Sequence, residues 1–205
     1  MIIQVFAIAF LVSFIGSIPP GTINITGMQL SIQGHRRAAF YFVLGASITE
    51  LIYAGITVRF QIYLSSKPEF TVFFDVISSL VLLSLGVVNL FAKNQTKKLV
   101  DKSNTLSAQN GFGRGVVLSL LNPLTIPFWL MVTAFLQNQS WVQLDETGYW
   151  VYILGIAAGT FLLLLSVNNI GVRFAHLASN SFLVYRLPGI LFLLMGAVGL
   201  FNYFF

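Results

Sequence analysis

The sequence predicts an all-α polytopic membrane protein: six transmembrane helices in two inverted-topology three-helix repeats, with the first and fourth helices broken. Three observations predict it. The chain has 205 residues, 57% hydrophobic and 8% charged, with mean hydropathy +0.85, whereas soluble domains carry about 25% charged residues. The apolar residues fall into six runs, roughly 2–33, 38–58, 71–92, 112–136, 149–172 and 187–205, joined mostly by short polar connections. Runs one and four carry proline clusters at matching places, and proline removes a backbone donor and clashes with the preceding helical turn.

No Asp, Glu, Lys or Arg precedes Arg36 in the first run. An unbroken helix over 2–33 would measure about 48 Å, against about 30 Å of hydrocarbon. The break at Ser17-Ile18-Pro19-Pro20-Gly21-Thr22-Ile23-Asn24 therefore falls within or close to the membrane, where open backbone is tolerated only against protein or a polar cavity. The second run carries Glu50, nine residues before Arg59 and so about 13 Å from it along a helix. The third run ends before a polar linker at about 93–111 that holds Lys93, Lys97, Lys98, Asp101 and Lys102. The fourth is interrupted by Asn122-Pro123-Leu124-Thr125-Ile126-Pro127, and Gly111-Phe112-Gly113-Arg114-Gly115 forms its entrance. The fifth contains Gly155-Ile156-Ala157-Ala158-Gly159, a small-xxx-small packing face. The linker divides one transmembrane carrier domain, 1–205, into repeats at about 1–92 and 112–205.

The halves repeat. An offset of 103 pairs Pro20 with Pro123, Thr22 with Thr125 and Met28 with Met131. An offset of 110 pairs Gly45 with Gly155, Gly86 with Gly196 and Leu90-Phe91 with Leu200-Phe201. Three spans per repeat is odd, so the second copy enters from the opposite face. With six spans, nine of the eleven basic residues lie on one side, with Arg59 and Lys67 on the other. The excess of positive charge predicts that side to be cytoplasmic and both termini to be outside. Trp141, Tyr149, Trp150 and Tyr152 suit an outer aromatic belt. No basic residue precedes the first run, so the charged start of a cleaved signal is missing and Met1 onward reads as mature chain.

Composition excludes several function classes. Cysteine is absent, which removes disulfides, thiol redox chemistry and thiolate metal sites. His35 and His176 lie in polar connections, and no nucleophile–base pair or metal-ligand cluster can be read. The chain is expected not to be an enzyme, with no cofactor and no metal. The net charge of +5 sits in loops and needs no nucleic-acid partner.

Two constellations remain. Each proline break starts a second half-helix, whose free N–H groups and positive dipole end suit a carboxylate or other anion. Pro20, Gly21, Thr22, Asn24, Asn122, Pro123 and Thr125 are the candidate substrate-binding residues, with Tyr53, one turn beyond Glu50, lining the polar path. The competing reading makes the breaks packing kinks whose polar groups satisfy the backbone. Glu50 is costly in the membrane, at least about 2.5–3.5 kcal/mol. It is read as a proton carrier or counter-charge for a substrate ammonium, or else as a structural acid bonded to a neighbouring Thr, Ser or Tyr. Asn89, Asn168 and Asn169 are read first as interhelical hydrogen-bonding groups.

On Ser17-Ile18-Pro19-Pro20-Gly21, Gln33-Gly34-His35-Arg36, Gly45, Leu121-Asn122-Pro123 and Leu193-Leu194-Met195-Gly196, the chain resembles the LysE/RhtB-type family of amino-acid exporters. The resemblance implies a bacterial inner-membrane carrier that exports amino acids or related small solutes against a proton gradient. The expected partners are the small-molecule substrate, the proton as coupling ion and the lipid bilayer, and a homodimer is left open. The family's first motif usually reads Pro-Gly-Pro, and its Asn-Pro is usually followed by lysine; here stand Pro-Pro-Gly and Leu124. The fifth-span acid of some members has no counterpart, so specificity for basic amino acids does not carry over. The alternatives are a non-transporting membrane scaffold or assembly factor, and a cation or metal carrier of the same superfamily.

Overall fold

The computed structural model describes residues 2–18, 21–66, 68–91, 107–122, 125–169, 182 and 186–204. Eight helices carry these residues: α1 Ile2–Gly16, α2 Thr22–Ile32, α3 Arg36–Ser65, α4 Pro68–Phe91, α5 Ala108–Leu120, α6 Thr125–Asn138, α7 Glu146–Asn169 and α8 Leu187–Phe204. No strand occurs among the described residues. The helices fall on the six apolar runs, the first and fourth each divided in two. The linker basic residues, Arg173 and His176 lie outside the described residues. Among the described residues, two helices are long and apolar enough to cross a membrane, Arg36–Leu64 and Glu146–Asn169, and α5 with α6 makes a third if taken as one bent span.

Both interruptions are visible from their flanks, although Pro19, Pro20, Pro123 and Leu124 themselves lie outside the described residues. α1 stops at Gly16 and α2 resumes at Thr22, while α5 stops at Leu120 and α6 resumes at Thr125 with a bend of 64°. Pro127 falls in the first turn of α6, where an N–H has no intrahelical partner anyway. α3 runs seven residues past the predicted end, to Ser65, because no glycine or proline intervenes before Pro68 opens α4.

The two helices that follow the breaks end alike. After α2, His35 donates to the Leu30 carbonyl and Gly34 to the Ser31 carbonyl, with Gly34 at φ +83°. After α6, Trp141 donates to Leu136 and Ser140 to Gln137, with Ser140 at φ 58°. Each is a Schellman closure that satisfies the last carbonyls. Asp145 then caps α7 through the Gly148 N–H at 2.6 Å, and Ser107 caps α5 through Asn110 at 3.2 Å.

Glycine decides which helices approach closely. A side chain at Gly111 or Gly115 of α5 would strike the Ala38 or Phe42 carbonyl of α3, and one at Gly45 the Phe112 carbonyl. Side chains at Gly155 and Gly159 of α7 would strike the Phe6 and Phe10 carbonyls of α1. The residue order makes α5 parallel to α3, and α1 parallel to α7. α4 packs on α8 instead in antiparallel fashion: Gly86 faces Leu193 and the Gly189 carbonyl, and Gly196 faces Leu83 and the Ser79 carbonyl. Adding 110 to Ser79, Leu83 and Gly86 gives Gly189, Leu193 and Gly196, so this contact is self-complementary under the offset read from sequence. α3 and α7 also run antiparallel, tied at one end by Asn168 to the Ala39 carbonyl and at the other by Tyr149 to that of Gly55.

The main apolar cluster joins Val5 and Ala9 of α1, Ala54 and Val58 of α3, Trp129 and Leu136 of α6, and Tyr149, Tyr152, Ile153 and Ile156 of α7. That corrects the expected aromatic belt. Trp141 and Trp150 are exposed, but Tyr149 and Tyr152 are buried, because the 149–152–156 face of α7 turns toward α3 while Trp150 points the other way.

Candidate functional site

α1 reaches its end against the first turns of α6. A side chain at Gly16 would overlap the Phe128 ring, so the residue before the first break touches a residue three beyond the start of the second half-helix. The next residue, Trp129, donates its indole N–H to Glu50 Oε1 at 2.6 Å. Three residues on from Glu50, the Tyr53 hydroxyl donates to the Leu120 carbonyl at 2.7 Å, the last residue of α5. The end of α5 and the start of α6 thus meet the middle of α3, and the end of α1 adjoins the start of α6. Glu50 stands midway along the Arg36–Leu64 stretch.

Each residue singled out in sequence has a definite place. Gly21 caps the start of α2 without a side-chain acceptor, and a Cβ there would meet nothing within 4 Å. Thr22 is exposed at the first position of α2. Asn24 is buried and donates to the Ser17 carbonyl at 2.8 Å, which ties α2 back to the chain leaving α1. Asn122 is half-buried just beyond α5, and Thr125 is buried as the first residue of α6. Pro20 and Pro123 lie outside the described residues. Tyr53 is half-buried, and its hydroxyl proton is committed to the broken end of α5. That carbonyl lacks an intrahelical partner, so the bond meets a backbone need as it orients the ring.

The structural reading of Glu50 gives it a Thr, Ser or Tyr as partner; the group that bonds it is Trp129. An indole nitrogen can only donate, so Glu50 accepts whether or not it is ionised. The buried indole itself needed an acceptor, and that need was the overlooked signal in the sequence. The Trp129 ring also meets Tyr152 edge-on, with centroids 6.4 Å apart, and the Tyr152 hydroxyl lies 3.3 Å from Thr133 Oγ1. Ser119, one residue before the end of α5, buries its hydroxyl without a partner; it was not singled out in sequence.

The asparagines divide. Asn168 is buried, donates to the Ala39 carbonyl at 3.1 Å and crowds Gly27 of α2, so it fastens α7 to α3 and α2. Asn169 is exposed, and the Asn89 side chain lies outside the described residues. Beyond Glu50 on α3, the Arg59 guanidinium lies over the Tyr149 ring, 4.3 Å from its centroid. Among the described residues, no group of three or more His, Cys, Asp or Glu could hold a metal ion.

Helices throughout the described residues, at least two of them long and apolar enough to cross a membrane, and a half-buried carboxyl beside interrupted helices point to a membrane protein. The LysE type translocator family model matches residues 14–202, and the chain belongs to that family. No curated protein and no solved structure matches it. Its class is therefore a translocator, with a small-molecule substrate and membrane lipid around it.

Proposed function

We propose that this chain is a secondary transporter that exports amino acids or related small solutes across a bacterial inner membrane by alternating access, driven by protons. The second break meets α3 at Glu50 and Tyr53, through Trp129–Glu50 and Tyr53–Leu120, and the end of α1 adjoins α6 at Phe128; this arrangement carries the reading. The start of α2, lacking a side-chain cap, offers N–H groups and a positive dipole end to a substrate carboxylate. The start of α6 at Thr125 supplies the second such end. Gly21, Thr22, Asn24, Asn122 and Thr125 line this site with Tyr53, Pro20 and Pro123 being assigned to it from sequence, and Glu50 carries the proton or faces the substrate amine.

Six spans in two inverted repeats, 1–92 and 112–205, suit this function. Support comes from the α4–α8 contact that maps onto itself under the 110-residue offset. A two-fold axis that exchanges antiparallel helices runs perpendicular to them, hence in the membrane plane if they span it. That is the symmetry of inverted-repeat carriers, whose halves rock about a midplane site. The basic loops then face the cytoplasm, with both termini outside.

The test is efflux of a preloaded amino-acid panel from proteoliposomes, with and without a pH gradient. Gradient-stimulated efflux of at least one member is expected, and its loss in a Thr22→Ala/Thr125→Ala double variant that still inserts. Efflux that the double variant retains in full would remove the site, and no efflux of any member would remove the substrate class.

A further inference from the structure

Glu50 does not stand alone on its face of α3. Ser47, Glu50, Ala54 and Thr57 follow the three- and four-residue spacing that puts side chains on one side of a helix. Thr57 is 2% exposed, yet its hydroxyl has no hydrogen-bond partner. Ala54 and Val58, on either side of it in the chain, belong to the cluster with Trp129, Leu136, Tyr149 and Tyr152, so Thr57 lies on the stretch of α3 that packs against α6 and α7. On α6, Thr133 holds the Tyr152 hydroxyl, and one turn further on Gln137 buries its Oε1 without a partner. Two unpaired buried polar atoms therefore occur on the two helices, α3 and α6, that pack around the Thr133–Tyr152 hydroxyl pair.

Leaving a buried polar group unpaired costs about 1–3 kcal/mol, and proteins meet such groups with ordered water where two or more polar partners converge. A residue chosen for packing alone would be valine at 57 and leucine at 137. We propose that Thr57, Thr133, Gln137 and Tyr152 form a water-holding conduit that passes protons between Glu50 and the Arg59 end of α3. This deepens the reading of Glu50 as proton carrier and rests on it. Each hydroxyl or water accepts one proton and gives up another, so the chain returns to its starting state once rotated, and Glu50 is the terminal acceptor. Among charged and titratable groups on the elements around Glu50, Tyr152 packs edge-on against Trp129, whose indole donates to Glu50. That indole has no acceptor and relays no proton, so the last transfer to Glu50 comes from water. Arg59 is engaged with Tyr149 and Tyr53 with Leu120; Arg114 lies on α5, Glu146 opens α7, and α6 carries no titratable residue.

Trp129 makes the test independent of substrate, because its indole bonds directly to Glu50. A Trp141→Phe/Trp150→Phe parent keeps Trp129 as the only tryptophan, and the proton itself is the probe. Its emission is followed after rapid pH jumps in nanodiscs. The parent is expected to respond, Glu50→Gln to lose the response, and Thr57→Val and Gln137→Leu to slow it about tenfold or more, the scale of positioned proton transfer. Thr57→Ser is expected to restore the rate, which a mere packing role for the methyl group would not allow. A parental rate in both apolar variants would overturn the conduit while leaving Glu50 as carrier. A response that survives Glu50→Gln, or a parent without one, would overturn the carrier reading itself and the conduit with it.

Discussion

Glu50 of α3 and Thr160 of α7 occupy the same place under the 110-residue offset, and their surroundings differ in kind. Thr160 shares a hydrogen bond of 2.9 Å with Ser13 of α1, and Ser13 also donates to the Ile156 carbonyl at 2.7 Å. This is a neutral, internally satisfied pair that fastens two glycine-packed helices. Glu50 instead carries an ionisable group, held by one donor from α6, on a face of α3 where the hydroxyls of Ser47 and Thr57 lack partners. The frame around the two positions is alike: glycines bring α5 onto α3 and α1 onto α7 in parallel. What differs is the chemistry placed in it. On the proposed reading, the proton is handled at the position that carries Glu50 and not at its counterpart Thr160.

Replacement of the carboxyl should have the largest effect. Glu50→Gln keeps an oxygen for the Trp129 N–H but removes the titrating proton, and it is expected to abolish the dependence of efflux on a pH gradient. Thr160→Val removes a hydrogen bond worth about 0.6 kcal/mol in membrane proteins, so it should alter transport by about threefold at most. Proteoliposome efflux at several pH gradients measures both. If the two variants lose gradient dependence equally, the asymmetry between the halves has no functional meaning.

The frame should fail symmetrically. Gly115→Leu drives a side chain into the Phe42 carbonyl of α3, and Gly159→Leu drives one into the Phe10 carbonyl of α1. Main chain cannot swing away as a flexible side chain can, so each variant should lose at least about 1–3 kcal/mol, the usual range for overpacking. Unfolding in mixed micelles would show this; a large loss at one site with none at the other would argue against equivalent packing.

The fate of these residues in sequence shows what a linear reading captures. Helix positions followed from runs of apolar residues, and the two interruptions from proline, because both are properties of neighbours along the chain. Gly155 and Gly159 were read as a packing face for the same reason. Gly111 and Gly115 looked like a polar entrance, and only the approach of α3 gives their spacing its purpose. Tyr149 and Tyr152 read as belt residues, although their burial depends on which face of α7 meets α3. The partner of Glu50 was out of reach as well, since Trp129 lies 79 residues away. Pairings across the bundle are set by tertiary geometry, and a single chain records them only where a buried donor such as an indole needs an acceptor.

The smallest expected effect lies in the turns that close the two halves. The α2–α3 and α6–α7 connections use the same pair of backbone bonds, but one places glycine at positive φ and the other places Ser140 there. A residue with a Cβ costs roughly 1–2 kcal/mol in the left-handed region, while glycine costs about 0.5–1 kcal/mol in backbone entropy. Ser140→Gly should therefore stabilise the protein by about 0.5–1 kcal/mol, and Gly34→Ser should destabilise it by a similar amount. Opposite shifts in the unfolding midpoint would show that the two closures are one device built with different residues. If Ser140→Gly destabilises instead, the serine side chain stabilises its turn by more than the strain it introduces, and the halves differ in how they turn as well as in the chemistry at their centres.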